Sequence, residues 1–427
     1  MHGAGRDVER YIRIAAPVAE RFGALAIVIH FSTQAYPTIS EYTLGIDRPG
    51  RTGWRAPEDM LYAEVEHRFD AVRAALGGEQ AGYYLFGHSA GAQFVHRLLT
   101  FLPAPRVLGA VAANAGWYTL PAATHPRDHA MPYGLGGGPV APKELARFFR
   151  TRFVVLLGER DTATAETDEL VRGTPEAQAQ GATRLERGRN YFAVAQQQAA
   201  ALDLPFAWRL AVLPRAGHDA AQVIDSAGYL TFAPAAVTCG PTSAADAVGL
   251  VITEILADPP DGTGGDSNLD GTRDPSEDEF VEIHNRGRIP VCLAGWTLGD
   301  AEEPDRHVFP IGAALTPGAT LVVFGGGVPT GRFHGAEVQW SEGGLSLSNA
   351  GDELTLRDAS GAIACRISWG DHGGSPRGQY HWPAGLGIGR SLTRSPASEE
   401  RWEIHPERAG THFSPGLVLR RGDSDSK

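Results

Sequence analysis

The chain has 427 residues, of which 42% are hydrophobic and 21% are charged, so it is long enough for two or three globular domains, and wholesale disorder and a coiled-coil rod are excluded. Its net charge of −12 lies entirely in residues 241–427, which hold 27 acidic and 15 basic side chains against 23 of each in residues 1–240; this acidity excludes a duplex nucleic acid as partner, because such a binder needs a concentrated basic face. No apolar run reaches the roughly 18 to 20 residues of a transmembrane segment, and the first ten residues, MHGAGRDVER, lack the apolar core of a signal peptide.

Residues 8–238 alternate helical and short apolar segments, an order that predicts an α/β domain with a mostly parallel sheet and helices on both faces. In such a sheet, functional groups lie at the carboxyl ends of the strands. The predicted elements in chain order are a helix at 8–23, a strand at 25–30, a helix at 63–77, a strand at 83–87, a helix at 91–102, strands at 107–113 and 153–158, a helix at 190–201 and a strand at 206–213.

Beyond residue 247 the pattern changes to short runs of alternating apolar and polar residues bounded by Gly, Pro, Asn or Asp, which predicts an all-β sandwich. The expected organisation is a first domain at 1–236, a linker at 237–247, a sandwich at 248–420 and a disordered tail at 421–427. The predicted strands of the sandwich include 250–256, 279–285, 295–300, 320–325 and 353–358.

The segment Gly87-His88-Ser89-Ala90-Gly91 follows one predicted strand and precedes a predicted helix. In this setting the pattern GxSxG is typical of a nucleophile elbow. Glycines flank the serine because a tight turn that projects a side chain above the sheet leaves no room for neighbouring Cβ atoms. Serine is a weak nucleophile at neutral pH, so the interpretation requires a base and an orienting acid.

Two later residues supply these groups, since Asp161 and His218 each follow a predicted strand, in FVVLLGERD and LAVLPRAGHD. The chain order Ser, Asp, His is the order that this architecture uses. His218 is expected to take the proton of Ser89 and pass it to the leaving group, while Asp161 holds the imidazole tautomer. Asp168 and Asp219 are the spare carboxylates, and the cycle needs no cofactor.

An oxyanion hole would complete the site with two N–H donors. One is expected from Ala90, directly after the nucleophile, and the second from a loop marked His-Gly after an earlier strand. Residues 2–5, His-Gly-Ala-Gly, fit that loop, with Ala4 or Gly3 as the donor, although the strand that should lead into it is absent.

Three residues are candidate substrate contacts. Trp117 and Tyr118 follow the predicted strand at 107–113, and His88 neighbours the nucleophile. The alternative for each is packing beneath a loop or beside the elbow.

The second half contains a candidate metal site, because residues 254–282 hold ten acidic side chains and one basic side chain. Residues 266–277 match the spacing of a twelve-position calcium loop with glycine at position 6. Pro275 excludes paired flanking helices, so the pattern predicts a structural calcium site between strands, and a solvated acidic loop is the alternative. The candidate ligands are Asp266, Asn268, Asp270, Thr272, Asp274 and Glu277.

Residues 2–233 resemble α/β-hydrolases of the esterase and poly(3-hydroxyalkanoate) depolymerase-like type, through HGAGR, FGHSAGAQFVHR, ANAGWYTLP, LLGERD and AGHD. The resemblance implies serine esterase chemistry and places Ser89, Asp161 and His218 at the triad positions. Members of this family have one or more strands before the His-Gly loop, so we expect the true start to lie upstream, where a signal peptide could also be encoded.

Residues 248–416 resemble the lamin-tail domain of bacterial surface and secreted proteins, an immunoglobulin-like sandwich, through VITEILADPP, DEFVEIHN, LAGWTLGD, LTPGATLVVFG, LSNAGDELTLRD and SLTRSP with FSPG. This resemblance implies a binding or anchoring module for a cell-surface or polymer ligand, and a secreted, periplasmic or surface location. Trp296 is expected in its core. Cys292 and Cys365 lie in predicted strands and are expected to pair only if the chain is exported.

Together these features predict a serine hydrolase that cleaves small or polymeric carboxylic esters and carries a β-sandwich binding module. Two alternatives stay open: a serine peptidase with the same triad, and a non-catalytic surface or adhesion protein.

Overall fold

The computed structural model describes residues 1–45, 55–122, 131–138, 140, 142–232, 242–300, 302–341, 343–371, 380–387, 389–395, 398–406 and 412–419. The chain divides into two compact units, Met1–Ala233 and Pro234–Lys427. The predicted disordered tail at 421–427 lies outside the described residues. Among the described residues, every helix is too short or too polar to cross a lipid bilayer.

The first unit is an α/β domain whose described strands form a parallel sheet in the order β1-β2-β3-β4. The helices are α1 (Val8–Arg21), α2 (Ile39–Thr43), α3 (Ala63–Leu76), α4 (Ala90–Phe101), α5 (Pro142–Arg150), α6 (Pro175–Gln178), α7 (Arg184–Ala201) and α8 (Ala220–Phe232). The strands are β1 (Tyr83–His88), β2 (Val107–Ala113), β3 (Phe153–Gly158) and β4 (Arg209–Leu213).

Two helices of this unit, α4 and α7, begin close to the carboxyl ends of the strands. Helix α4 packs against β1, and all of its residues are buried, including the polar side chains of His96 and Arg97. Helix α7 begins at a capping box, in which the Thr183 side chain accepts from the Glu186 N–H and the Glu186 side chain accepts from the Thr183 N–H. Both helices therefore start at fixed positions near the carboxyl ends of the strands.

The strand predicted at 25–30 is wrong. Leu25 and Ile27 are 64% and 46% exposed, and within the described residues the sheet begins at β1. The apolar run has the composition of a buried strand, but a strand is stable only when its N–H and C=O groups pair with a neighbour, and no described strand pairs with this one.

The second unit is a β-sandwich. A six-stranded sheet has the order β12-β11-β6-β5-β16-β17, a five-stranded sheet has the order β15-β14-β13-β8-β9, and β10 pairs with β7. The strands are β5 (Leu250–Leu256), β6 (Phe280–Asn285), β7 (Val291–Cys292), β8 (Thr297–Gly299), β9 (His307–Val308), β10 (Ala314–Leu315), β11 (Thr320–Phe324), β12 (Glu337–Trp340), β13 (Gly351–Arg357), β14 (Ile363–Gly370), β15 (Tyr380–Trp382), β16 (Leu392–Ser395) and β17 (Ser398–Ile404). Trp296 is 1% exposed and lies in the core, as predicted.

Part of the predicted linker belongs to this sandwich. The Thr242 hydroxyl accepts from the Cys292 N–H at 3.0 Å, and the Thr242 carbonyl accepts from the Trp296 indole at 3.2 Å. The Ala244 N–H donates to Asp358. Residues 242–247 are thus held by core elements of the second unit, and residues 237–241 lie outside the described residues.

The structure does not contain the disulfide that was expected between Cys292 and Cys365. Cys292 is disulfide-bonded, whereas Cys365 is a free thiol, so the prediction of this pair is wrong. The third cysteine, Cys239, lies outside the described residues.

Candidate active site

Ser89 lies on a sharp turn between β1 and α4, with φ of +56° and ψ of −116°. This left-handed backbone is strained for a residue with a side chain. The turn also requires glycine on both sides of the serine. A Cβ at Gly87 would overlap Gly91 and Val95, and a Cβ at Gly91 would overlap the carbonyls of Met1 and His2. The sequence pattern and the backbone therefore agree on an elbow that raises the serine hydroxyl above the sheet.

The structure brings the three candidate residues together at one edge of the sheet. The Ser89 hydroxyl lies 3.0 Å from Nε2 of His218, and Nδ1 of the same ring lies 2.7 Å from an oxygen of Asp161. Asp161 follows β3 and His218 follows β4, so neighbouring parallel strands deliver both residues to one place. The arrangement can move a proton from the hydroxyl to the imidazole while the carboxylate fixes the ring.

Asn114 ties the two loops together and was not found from the sequence. It follows β2 and is 1% exposed. Its side-chain oxygen accepts from the Gly158 N–H at 2.8 Å, and its side-chain nitrogen donates to the Gly217 carbonyl at 3.1 Å. Gly158 ends β3 just before Asp161, so one amide sets the distance between the loops of the acid and the base. A polar residue directly after β2, at the same edge as the other site residues, was the available signal.

Asp161 is buried between His218 and Arg184. Its side chain is 1% exposed, and its second oxygen accepts from Arg184 at 3.2 Å. The other branch of the Arg184 guanidinium donates to Asp168 at 2.8 Å. That hydrogen bond is the main reason why the pKa of Asp168 lies below its usual value. The spare carboxylate Asp168 is thus linked to the site through an arginine that the sequence pattern did not single out.

His88 is buried beside the ring of His218. It is 5% exposed, its ring centroid lies 4.7 Å from that of His218, and its Nδ1 lies 3.3 Å from the Tyr11 hydroxyl. Burial, followed by the nearby His218, holds the pKa of His88 well below its ordinary value. His88 is therefore neutral at physiological pH and packs against the ring of His218.

The predicted oxyanion-hole residues lie next to the nucleophile. Ala90 is the first residue of α4, where backbone N–H groups have no intrahelical acceptor. A Cβ built on Gly3 would lie 3.8 Å from Cβ of Ser89, so the His-Gly loop runs past the serine. The Tyr42 hydroxyl donates to the His2 carbonyl at 2.9 Å and fixes that loop. The geometry keeps Ala90, Gly3 and Ala4 as candidate donors.

The expected substrate contacts of Trp117 and Tyr118 are not supported, because both residues belong to the core. Trp117 is 4% exposed and lies between the guanidinium groups of Arg97 and Arg172, at 4.1 and 4.9 Å from its ring. Tyr118 is fully buried and stacks on Tyr191 with ring centroids 4.3 Å apart. Both rings therefore pack in the interior of the first unit.

The acidic loop at 266–277 is ordered by its own hydrogen bonds. Asp266 accepts from the N–H groups of Asp270 and Gly271, and Asp274 accepts from those of Ser276 and Glu277. Among the described residues, no group of three or more His, Cys, Asp or Glu side chains is arranged to hold a metal ion. Calcium binding by this loop, with Asn268 and Thr272 among the candidate ligands, stays a prediction.

Comparisons with solved structures identify the first unit. Poly(aspartic acid) hydrolase-1 from Sphingomonas sp. KT-1 is 35% identical over 54% of this chain and 85% of its own, with a TM-score of 0.50. LpqC, a poly(3-hydroxybutyrate) depolymerase from Bordetella parapertussis, is 36% identical over 53% of this chain and 77% of its own, with a TM-score of 0.49. Comparison with functionally curated proteins gave no significant match.

Residues 243–371 match the family model of the Lamin Tail Domain. The chain thus belongs to the α/β-hydrolase family that includes poly(aspartic acid) hydrolase-1, and its second unit carries a lamin tail domain. The predicted fold class, an α/β-hydrolase followed by an immunoglobulin-like sandwich, is confirmed, and the first unit is a hydrolase.

Proposed function

We propose that the first unit is a serine hydrolase that cleaves carboxylic esters through an acyl-enzyme on Ser89. The observation that carries the proposal is the unbroken hydrogen-bond chain from the Ser89 hydroxyl through His218 to Asp161, at 3.0 and 2.7 Å. A serine that is held on a strained turn within hydrogen-bond distance of an imidazole is placed to attack a bound carbonyl carbon.

In the acylation step, Ser89 Oγ attacks the ester carbon while its proton passes to Nε2 of His218. The developing oxyanion accepts hydrogen bonds from the N–H of Ala90 and from Gly3 or Ala4 in the His-Gly loop. The tetrahedral intermediate collapses when the imidazolium gives its proton to the leaving alcohol. The buried Asp161 carboxylate stabilises that imidazolium and keeps Nδ1 as the donor.

Water then attacks the acyl-enzyme as His218 removes its proton, and the carboxylic acid leaves with Ser89 restored. Side chains, backbone N–H groups and one water molecule account for every proton and bond in this cycle.

We propose an uncharged polymeric ester as the substrate. The loop that follows Asp161 is acidic: Asp168 is paired with Arg184, and Glu166 and Glu169 are exposed. A polyanion approaching this loop meets like charges. The similarity to a poly(aspartic acid) hydrolase supports a second candidate, a polyamide, because the same three groups cleave amides.

We propose that the sandwich binds a cell surface or a polymer and that the protein is exported. The disulfide of Cys292 supports export, since disulfides persist in oxidising compartments. In this arrangement the second unit holds the hydrolase near its substrate.

The function is tested with purified protein and a panel of p-nitrophenyl esters, aminoacyl anilides, a polyester suspension and poly(aspartate). We expect turnover of esters and release of soluble acid from the polyester, both abolished in Ser89→Ala. A preference for anilides or poly(aspartate) would favour the polyamide. Absence of all turnover in the folded wild-type protein would favour a non-catalytic surface protein.

A further inference from the structure

Arg184 is the first residue of α7, and its side chain is 1% exposed. One branch of its guanidinium lies 3.2 Å from Asp161 Oδ1, and the other lies 2.8 Å from Asp168 Oδ2. Asp161 Oδ2 is the oxygen that faces His218. The two oxygens of Asp161 are thus divided between a guanidinium and an imidazole, which leaves the carboxylate a single orientation.

A backbone hydrogen bond also joins the start of α7 to Asp161. The Leu185 N–H donates to the Asp161 carbonyl at 3.3 Å, and the capping box at Thr183 sets where α7 begins. The first turn of α7 is therefore anchored to the loop after β3 through both the backbone and the side chain of Asp161. A planar guanidinium with two fixed branches can hold two carboxylates at once, which a lysine ammonium does less well.

We propose that Arg184 is a positioning residue for catalysis, which aims Asp161 at His218 and balances the negative charge of that buried carboxylate. This inference rests on the proposed function. The charge of Arg184 also acts on the base: because the guanidinium shares Asp161, the carboxylate stabilises the imidazolium of His218 less than it would alone. Removal of that charge is expected to favour the imidazolium.

Charged or titratable groups from several elements surround His218. They are Asp161 after β3, His88 on β1, Arg184 on α7, Asp168 in the loop after Asp161, and the ion pair of Arg10 on α1 with Asp219 next to the base. Among these groups, Arg184 alone is both buried to 1% exposure and bonded to Asp161, so its substitution changes the charge at Asp161 most directly.

The test compares Arg184→Met and Arg184→Lys with Arg187→Met in the full chain. Arg187 is a matched control: it lies on the same helix, is fully buried, and donates to the carbonyls of Gly181, Gly116 and Arg172 without touching the three site residues. Each variant is assayed for kcat, KM and the pH dependence of kcat/KM on a p-nitrophenyl ester, with thermal unfolding followed in parallel.

In Arg184→Met we expect kcat to fall by about 10²-fold, the effect of a small misplacement of a reacting group, with KM little changed. The acidic limb of the pH profile is expected to move to higher pH. Arg184→Lys keeps the positive charge, so its kcat should fall less than that of Arg184→Met, and the acidic limb of its pH profile should stay at the wild-type position. Arg187→Met is expected to lower the unfolding temperature without moving the limb.

Two outcomes separate this inference from the proposed function. If Ser89→Ala is inactive but folded Arg184→Met keeps the wild-type kcat and pH profile, the positioning role is wrong and the serine mechanism stands. If Ser89→Ala hydrolyses the ester as fast as wild type, the serine mechanism itself fails. A folding defect shared equally by Arg184→Met and Arg187→Met, with Arg184→Lys fully active and no shift of the limb in any variant, overturns the inference as well.

Discussion

Nδ1 of His218 lies 2.7 Å from Oδ2 of Asp161 although 57 residues separate them along the chain. This contact depends on the ends of two adjacent parallel strands, β3 and β4, and on the residues that hold the loops beyond them.

Asn114→Gly is expected to lower both stability and kcat. Asn114 has a φ of +51°, and glycine tolerates this backbone, so the substitution removes the two loop hydrogen bonds without adding strain. Leaving buried backbone groups unpaired costs about 1 to 3 kcal/mol each. Urea unfolding and kcat on a p-nitrophenyl ester measure the effect. Asn114→Asp, which keeps an acceptor for the Gly158 N–H, should lie between Asn114→Gly and wild type; equal loss in both variants would contradict the role assigned to the oxygen.

Gly91→Ala is expected to abolish most activity, because its Cβ would overlap the carbonyls of Met1 and His2 beside the nucleophile. Displacement of the elbow or of the His-Gly loop by about 1 Å lowers the rate on the order of 10²-fold. Gly264→Ala in the second unit is the matched control, since its Cβ meets no atom within 4 Å. Wild-type ester turnover by Gly91→Ala would show that the turn is less crowded than the structure indicates.

The second unit is expected to lose stability as the pH rises. Glu254 and Glu282 are cross-strand partners on β5 and β6, and each is 1% exposed. Burial raises the pKa of Glu254 to about 7; burial and then the charge of Glu254 raise the pKa of Glu282 to about 8. Between the ordinary value of 4.5 and these raised values the folded state binds more protons than the unfolded chain. The free energy of unfolding therefore falls through that interval, by up to about 1.4 kcal/mol per pH unit per carboxyl.

Hydrogen exchange of the amides in β5 and β6 of the full chain, measured from pH 5 to about pH 9 with correction for intrinsic exchange, follows this change. Glu282→Gln should flatten the dependence, while Glu302→Gln, at an exposed position, should leave it as in wild type. Protection that does not decline with pH in wild type would contradict the prediction.

Calcium is expected to bind weakly in the acidic loop. Burial, followed by the charges of Asp274 and Asp270, raises the pKa of Glu277, and a cation placed among these carboxylates would relieve their repulsion. Calorimetry with calcium chloride should give heat that disappears in Asp270→Ala. Absence of heat in the wild-type protein would contradict calcium binding by this loop.

The sequence predicted the features that depend on local pattern. The four strands of the parallel sheet, the turn at Ser89 and the proximity of the three candidate residues follow from apolar runs, glycine spacing and polar residues placed directly after strands. Residues that act through distant contacts were not predictable in this way: Arg184 and Asn114 acquire their roles only when the ends of β2 and β3 and the start of α7 meet. Apolar composition alone predicted a strand at 25–30 that does not form, and the position of Trp117 after β2 did not reveal that its side chain is buried.

The proposed function depends on the hydroxyl of Ser89 as the nucleophile that His218 activates. It is tested most directly by mass spectrometry of the protein after reaction with a fluorophosphonate, which traps an activated serine as a covalent adduct. We expect one adduct, on Ser89, that is absent in Ser89→Ala and forms at least about 10³-fold more slowly in His218→Gln. An adduct on another residue with full loss of ester turnover, or labelling of Ser89 at the wild-type rate in His218→Gln, would contradict it.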